Sequence, residues 1–189
     1  MPPKTKIQRE DIVSAGLAIV RKDGEASLNA RQIAADLHCS TQPIFSNFAT
    51  MEELRQAVLT AADGLYQTYL QTDMASGQYP PYKASGMAYI RFAREETALF
   101  RLLFMRDRRG ERIEEDRESI RPLLTLLMTN IGLTEDEAYR FHLEMWIYVH
   151  GIATMIATGY LDWQEDFVSE SLTDAYAGML QRYRERGKA

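Results

Sequence analysis

Apolar residues recur at helical spacing along almost the whole of this chain. Over 7–22 they fall at Ile12, Val13, Gly16, Leu17 and Val20, one face of a helix. Asp23-Gly24 ends that helix, because glycine accepts the positive φ found after a helix terminus. Ile33, Ala34 and Leu37 mark a short helix over 30–37, with Asn29 as its N-cap and Gln32 placed to complete a capping box. After a turn at His38-Cys39, Ser40 is placed to cap a third helix, whose Pro43 falls in the first turn, where a missing N–H costs nothing. Ile44, Phe45 and Phe48 supply its apolar contacts and leave Thr41, Gln42, Ser46 and Asn47 for the exposed side. Thr50 and Glu53 form another capping box and open a helix from residue 51 to about residue 69, with Leu54, Val58, Ala61, Leu65 and Tyr69 inward.

The stretch ASGQYPP (75–81) is the clearest linker. Helices are expected beyond it over 82–95 and 97–106, then a charged loop or exposed helix start over 106–118, then an apolar helix over 119–131. Thr134 and Glu137 form a capping box for a helix reaching to about residue 159. That helix is apolar nearly all round (Leu143, Met145, Trp146, Ile147, Val149, Ile152, Ala153, Met155, Ile156), which predicts burial on several sides. A last helix over 166–186 carries Leu172, Ala175, Tyr176, Met179, Leu180 and Tyr183 on one face. No strand pattern or repeat is present, so the expected fold class is all-α. A three-helix head over 1–50 and a connecting helix over 51–74 precede a helical body over 75–189.

Composition changes this picture little. Of 189 residues, 46% are hydrophobic and 26% charged, ordinary values for a chain that buries its own core. The single cysteine, Cys39, excludes an internal disulfide and fits a reducing compartment. No segment resembles a secretion signal and no apolar run approaches about 18 residues, so the expectation is a soluble cytoplasmic protein without a membrane partner. Net charge is −5, yet residues 1–50 hold six Lys/Arg against five Asp/Glu while the remainder holds 16 against 22. An acidic body with a slightly basic head is compatible with nucleic-acid binding confined to the head.

The chemistry is concentrated in NARQIAADLHCSTQPIFSNFAT (29–50), two short helices joined by a tight turn. A helix-turn-helix reads DNA through a second helix whose first turn is polar and small enough to reach base edges and phosphates. Thr41, Gln42, Ser46 and Asn47 offer hydroxyls and amides, and the caps Asn29 and Ser40 leave backbone N–H groups for phosphate. Arg31, and a short arm with Lys4 and Lys6, add positive charge. The competing reading is a helical hairpin in an all-α ligand-binding or adaptor module with no role on DNA.

This head resembles the N-terminal domain of the tetracycline-repressor (TetR) family of transcriptional regulators. The resemblance rests on Ile33-Ala34, the turn ending at Ser40, the recognition helix STQPIFSNF (40–48) and the start of the next helix, ATMEEL (49–54). It implies a homodimer on a pseudo-palindromic double-stranded operator, and a repressor whose DNA affinity falls when a small-molecule effector binds the body. Trp146-Ile147-Tyr148-Val149-His150-Gly151 is similar to the Trp…His-Gly signature of one subgroup of such bodies. Three positions depart from the pattern. His38 replaces the usual turn glycine and must accept a positive φ. Phe45 replaces an aromatic that reaches phosphate through a hydroxyl, and Met51 replaces a lysine that also contacts phosphate.

Met and aromatic residues make adaptable apolar cavities, so Phe100, Phe104, Met105, Met128, Met145, Trp146, Tyr148 and His150 are effector candidates, with core packing the alternative for each. Ile156, Tyr160, Tyr176, Met179 and Tyr183 on the last two helices are candidates for the dimer interface, with intramolecular core again the alternative. Cys39 and the histidines at 38, 142 and 150 form no HExxH, CxxC or Gly-rich phosphate pattern, so the sequence points to no enzyme, no metal and no cofactor.

Overall fold

A computed structural model describes residues 7–107, 109 and 116–186. Ten α-helices and one 3-10 turn are found among them, and no strand. They are α1 (Arg9–Asp23), α2 (Ala30–Asp36), α3 (Gln42–Asn47), α4 (Met51–Ala75), α5 (Pro81–Glu95), α6 (Thr97–Phe104), α7 (Asp116–Ser119), α8 (Arg121–Ile131), α9 (Glu135–Ala157) and α10 (Glu165–Arg186). The turn, Glu25–Ser27, follows Gly24, whose φ of 83° ends α1 where the sequence places the stop. Thr134 and Glu137 close a reciprocal capping box on α9, and Gly132 and Gly159 take positive φ after α8 and α9. No described helix is long and apolar enough to cross a membrane.

The chain folds as two compact units, Met1–Gln67 with Glu96–Arg106, and Thr68–Glu95 with Asp107–Ala189. These limits differ from the boundaries expected at residues 50 and 75, because α6 returns to pack on α1. Pairing of that kind, between helices about 80 residues apart, leaves no periodic mark in a sequence. In the first unit Ile12, Ile19, Val20, Ile33, Ile44, Phe48, Leu54 and Val58 are buried together with Leu99 and Phe100 of α6. Gly16 sits at the closest approach, since a Cβ there would stand 2.8 Å from Val58 Cγ2 and 3.2 Å from Leu28 Cδ1. Glu96, the residue before α6, is buried and accepts two hydrogen bonds from the Arg21 guanidinium of α1, that from Nε at 2.6 Å.

In the second unit the helix buried on several sides is α5, where Ala84, Ser85, Met87, Ala88, Tyr89, Ile90, Phe92 and Ala93 are all covered. It packs against α8, α9 and α10, and a Cβ on Gly86 would meet Leu172 and Val149 at 3.4 Å. The sequence assigns that role to α9, and the structure corrects it. One face of α9 (Ala138, Phe141, Met145, Val149, Ala153, Ile156) is core, while Leu143, Trp146, Ile147 and Tyr148 are exposed, Ile147 to 66%. Composition alone cannot distinguish a helix buried all round from one with an apolar face in solvent. The dimer candidates sort the same way. Ile156 and Tyr183 are buried in their own unit, and Tyr176 and Met179 pack against the cluster around Phe141. Tyr160 alone of the five is open, at 75%.

Candidate nucleic-acid interface and effector site

The N-terminal unit holds α3 by its apolar side. Ile44 and Phe48 are buried, which turns Gln42, Phe45 and Ser46 outward. Asn29 caps α2 as expected, accepting from the N–H groups of Arg31 and Gln32 at 3.1 and 3.0 Å. Its own amide donates to the Ser27 carbonyl, so the side chain is spent on local structure. The capping box with Gln32 is not formed, because Gln32 Nε2 donates one turn along the helix to Asp36 Oδ1 at 3.2 Å. Ser40 stands one residue before the N-cap of α3; that position belongs to Thr41, which makes no side-chain cap. Thr41 has helical φ/ψ (−72°, −12°) rather than the extended backbone of a side-chain cap, and Pro43 in the first turn removes one of the two N–H groups such a cap would reach.

The turn between α2 and α3 is closed by the Cys39 N–H on the Ala34 carbonyl at 2.9 Å. His38 there takes φ 51°, the conformation expected from its place where glycine is usual. A residue without a signal in the periodicity fixes the other end of α3. Arg9, at the start of α1, donates to the Asn47 carbonyl at 2.7 Å, lies 3.9 Å over the Phe48 ring and pairs with Glu53 at 2.9 Å. Glu53 in turn accepts the Ala49 N–H at 2.8 Å, while its own N–H bonds the Thr50 hydroxyl, so the box opening α4 reaches back one residue further than expected. The Ala49 N–H, then Arg9, hold the Glu53 carboxyl below the usual carboxylate range. Both ends of α3 are thus held by contacts within the head.

The candidate DNA-contacting residues are unequally placed. Ser46 Oγ donates to the Gln42 carbonyl at 2.9 Å and Asn47 Nδ2 to the Pro43 carbonyl at 2.8 Å, both within α3. Gln42 and Arg31 are exposed, and Phe45 is exposed to 52%. Lys4 and Lys6 lie outside the described residues.

The effector candidates are divided between the two units. Phe100, Phe104 and Met105 belong to the N-terminal unit, where the Phe100 and Phe104 rings lie 5.3 Å apart and Phe104 meets Tyr66 edge-on. In the second unit Met145 and Met128 belong to the core cluster around Phe141. Trp146, Tyr148 and His150 remain near the surface, and Trp146 stacks on the His150 ring at 4.7 Å and 15°. Tyr89 of α5, which the sequence reading passed over, bonds His150 Nδ1 at 2.9 Å, and Tyr82 bonds His142 Nδ1 at 3.1 Å. Two tyrosines seven residues apart thus face two histidines eight apart, a regularity visible in the sequence once α5 and α9 are known to pair. Burial holds the His142 ring down at about 4 and lowers His150 as well. A cavity of about 140 Å³ in this unit is lined by Asp73, Tyr79, Ile90, Arg91, Arg94 and Glu165 among others, and by none of the candidates. It is below the roughly 300–1,000 Å³ of a drug-sized ligand site, and its arginines are engaged, Arg91 with Asp73 and Arg94 with Asp162.

Comparison with known proteins places this arrangement. A family model described as the C-terminal domain of tetracyclin repressor-like proteins matches residues 82–179. An HTH-type transcriptional regulator of Mycobacterium tuberculosis, Rv0681, is 22% identical over 161 residues, covering 83% of this chain and 73% of the relative. A TetR-like transcriptional regulator from Rhodococcus sp. RHA1 superposes with a TM-score of 0.59 at 16% identity, over 95% of this chain and 94% of the other. The multidrug binding protein EbrR, solved with imidazole, superposes with a TM-score of 0.58 at 17% identity, over 89% and 94%.

Proposed function

The chain belongs to the tetracyclin repressor-like family of DNA-binding transcriptional regulators, and from that premise we propose a homodimeric repressor that a small molecule releases from a pseudo-palindromic operator. The observation that carries the DNA reading is the outward face of α3, with Gln42, Phe45 and Ser46 presented while Ile44 and Phe48 are buried. Gln42 reads a base edge, adenine being the partner that suits a carboxamide. Arg31, with Lys4 and Lys6 of the arm, meets phosphate and sets register. The dimer forms through the faces of α9 and α10 that carry Leu143, Ile147 and Phe167, each exposed in one copy. Closing two heads about a two-fold axis puts their half-sites roughly 34–36 Å apart.

The effector acts in the second unit, where Trp146 and His150 with Tyr89 offer a stacking face beside a hydrogen-bonding pair. The neighbour solved with imidazole, a multidrug binding protein, supports a planar ligand for such a fold. A ligand that prefers the conformation with heads wrongly spaced lowers DNA affinity by the ratio of its two affinities. Footprinting on DNA flanking the protein's own gene tests the proposal. Two symmetric protected half-sites, weakened by salt and by hits from a thermal-shift screen of small molecules, are expected. Folded dimer that protects nothing in a salt-sensitive way would contradict it.

A further inference from the structure

Phe45 is a large apolar side chain left in solvent on the face that meets DNA, and this needs a reason. It is not core, because it is 52% exposed while Ile44 and Phe48 are buried to within 1% and already anchor α3. It cannot hydrogen-bond phosphate, having no hydroxyl. On the same helix the Ser46 hydroxyl and one Asn47 amide N–H already donate within α3. Gln42 lies one turn before Phe45, about 4.5 Å along the axis, which is nearer to one base-pair step of about 3.4 Å than to two. The major groove offers one apolar feature to such a ring, the C5 methyl of thymine.

Resting on the DNA reading above, we propose that Phe45 is a specificity-determining residue that packs on a pyrimidine C5 methyl, so that each half-site requires a thymine next to the base read by Gln42. Withdrawing both the ring and the methyl from water supplies affinity that depends on base identity, where a tyrosine hydroxyl on phosphate would supply none. The same chemistry makes 5-methylcytosine an acceptable substitute, because its methyl occupies the same place in the groove.

The test uses the full chain and a duplex enriched by it from a random-sequence pool. Each thymine is replaced in turn by deoxyuridine, and binding is followed by fluorescence anisotropy at fixed salt. One thymine per half-site is expected to lose about fourfold in affinity on losing its methyl. Cytosine there binds more weakly still, and 5-methylcytosine recovers part of the loss. Phe45→Ala binds the thymine and uracil forms equally, whereas Phe45→Leu keeps part of the preference. Both replace a side chain outside the core, and circular dichroism checks that the head remains folded. A flat deoxyuridine series, or a uracil penalty of equal size in Phe45→Ala, overturns the inference and leaves the operator reading intact. A pool from which no duplex is enriched overturns both.

Discussion

His38 carries its cost in the backbone. At φ 51° it occupies the left-handed region, which the tight turn into α3 imposes and which an unbranched polar side chain tolerates best after glycine and asparagine. His38→Val is expected to destabilise the head by about 1–2 kcal/mol, and His38→Gly to leave it nearly unchanged, as chemical unfolding will show. The value near 4 for His142 has a different consequence. The native ring stays neutral because burial penalises its charge, while in the unfolded chain it titrates near 6.5. Between those values the unfolded state binds the extra proton, so stability falls as pH drops from about 6.5 to about 4 and is flat above. The loss reaches up to roughly 3 kcal/mol. His142→Gln, which keeps an acceptor for the Tyr82 hydroxyl, should flatten this part of the profile in urea titrations at pH 7, 5.5 and 4.5.

At the level of elements the recognition unit is held by few groups. Arg9 secures the end of α3 and pairs with Glu53, which holds the start of α4, so this cation is already engaged. The start of α4 is therefore poor in cations on the DNA side, with Met51 where the family pattern has lysine. Met51→Lys is expected to steepen the plot of log affinity against log salt by about 0.9 for each phosphate gained. Helix ends are legible in the sequence at Gly24, at residue 159 and at the Thr134–Glu137 box because these are local signals that act on the backbone directly. The local bonds were less legible. Thr41 rather than Ser40 takes the cap position, and Gln32 donates to Asp36 instead of accepting the Asn29 N–H. Arg9, Tyr82 and Tyr89 went unnoticed because their partners lie 38, 60 and 61 residues away. The sequence makes Phe45 an apolar contact of its helix, whereas the structure leaves it 52% exposed.

For the molecule as a whole, the pattern of apolar positions defined a head and a body, but not which apolar surface each keeps for itself. α6 belongs with the head, and the outer face of α9 carries Leu143 and Ile147 into solvent within one copy. Ile147→Arg should leave the thermal stability of a monomer unchanged while converting dimer to monomer in sedimentation experiments, and operator affinity should fall with it, since two linked heads bind far better than one. The claim on which everything else rests is that α3 reads bases. Gln42→Ala tests it most directly, with affinity measured for an enriched operator and for a scrambled duplex at the same salt. Gln42→Ala is expected to lose roughly 5- to 150-fold on the operator and less than about twofold on the scrambled duplex. Equal losses on both duplexes would mean that Gln42 only positions the backbone, and would contradict base reading by this helix.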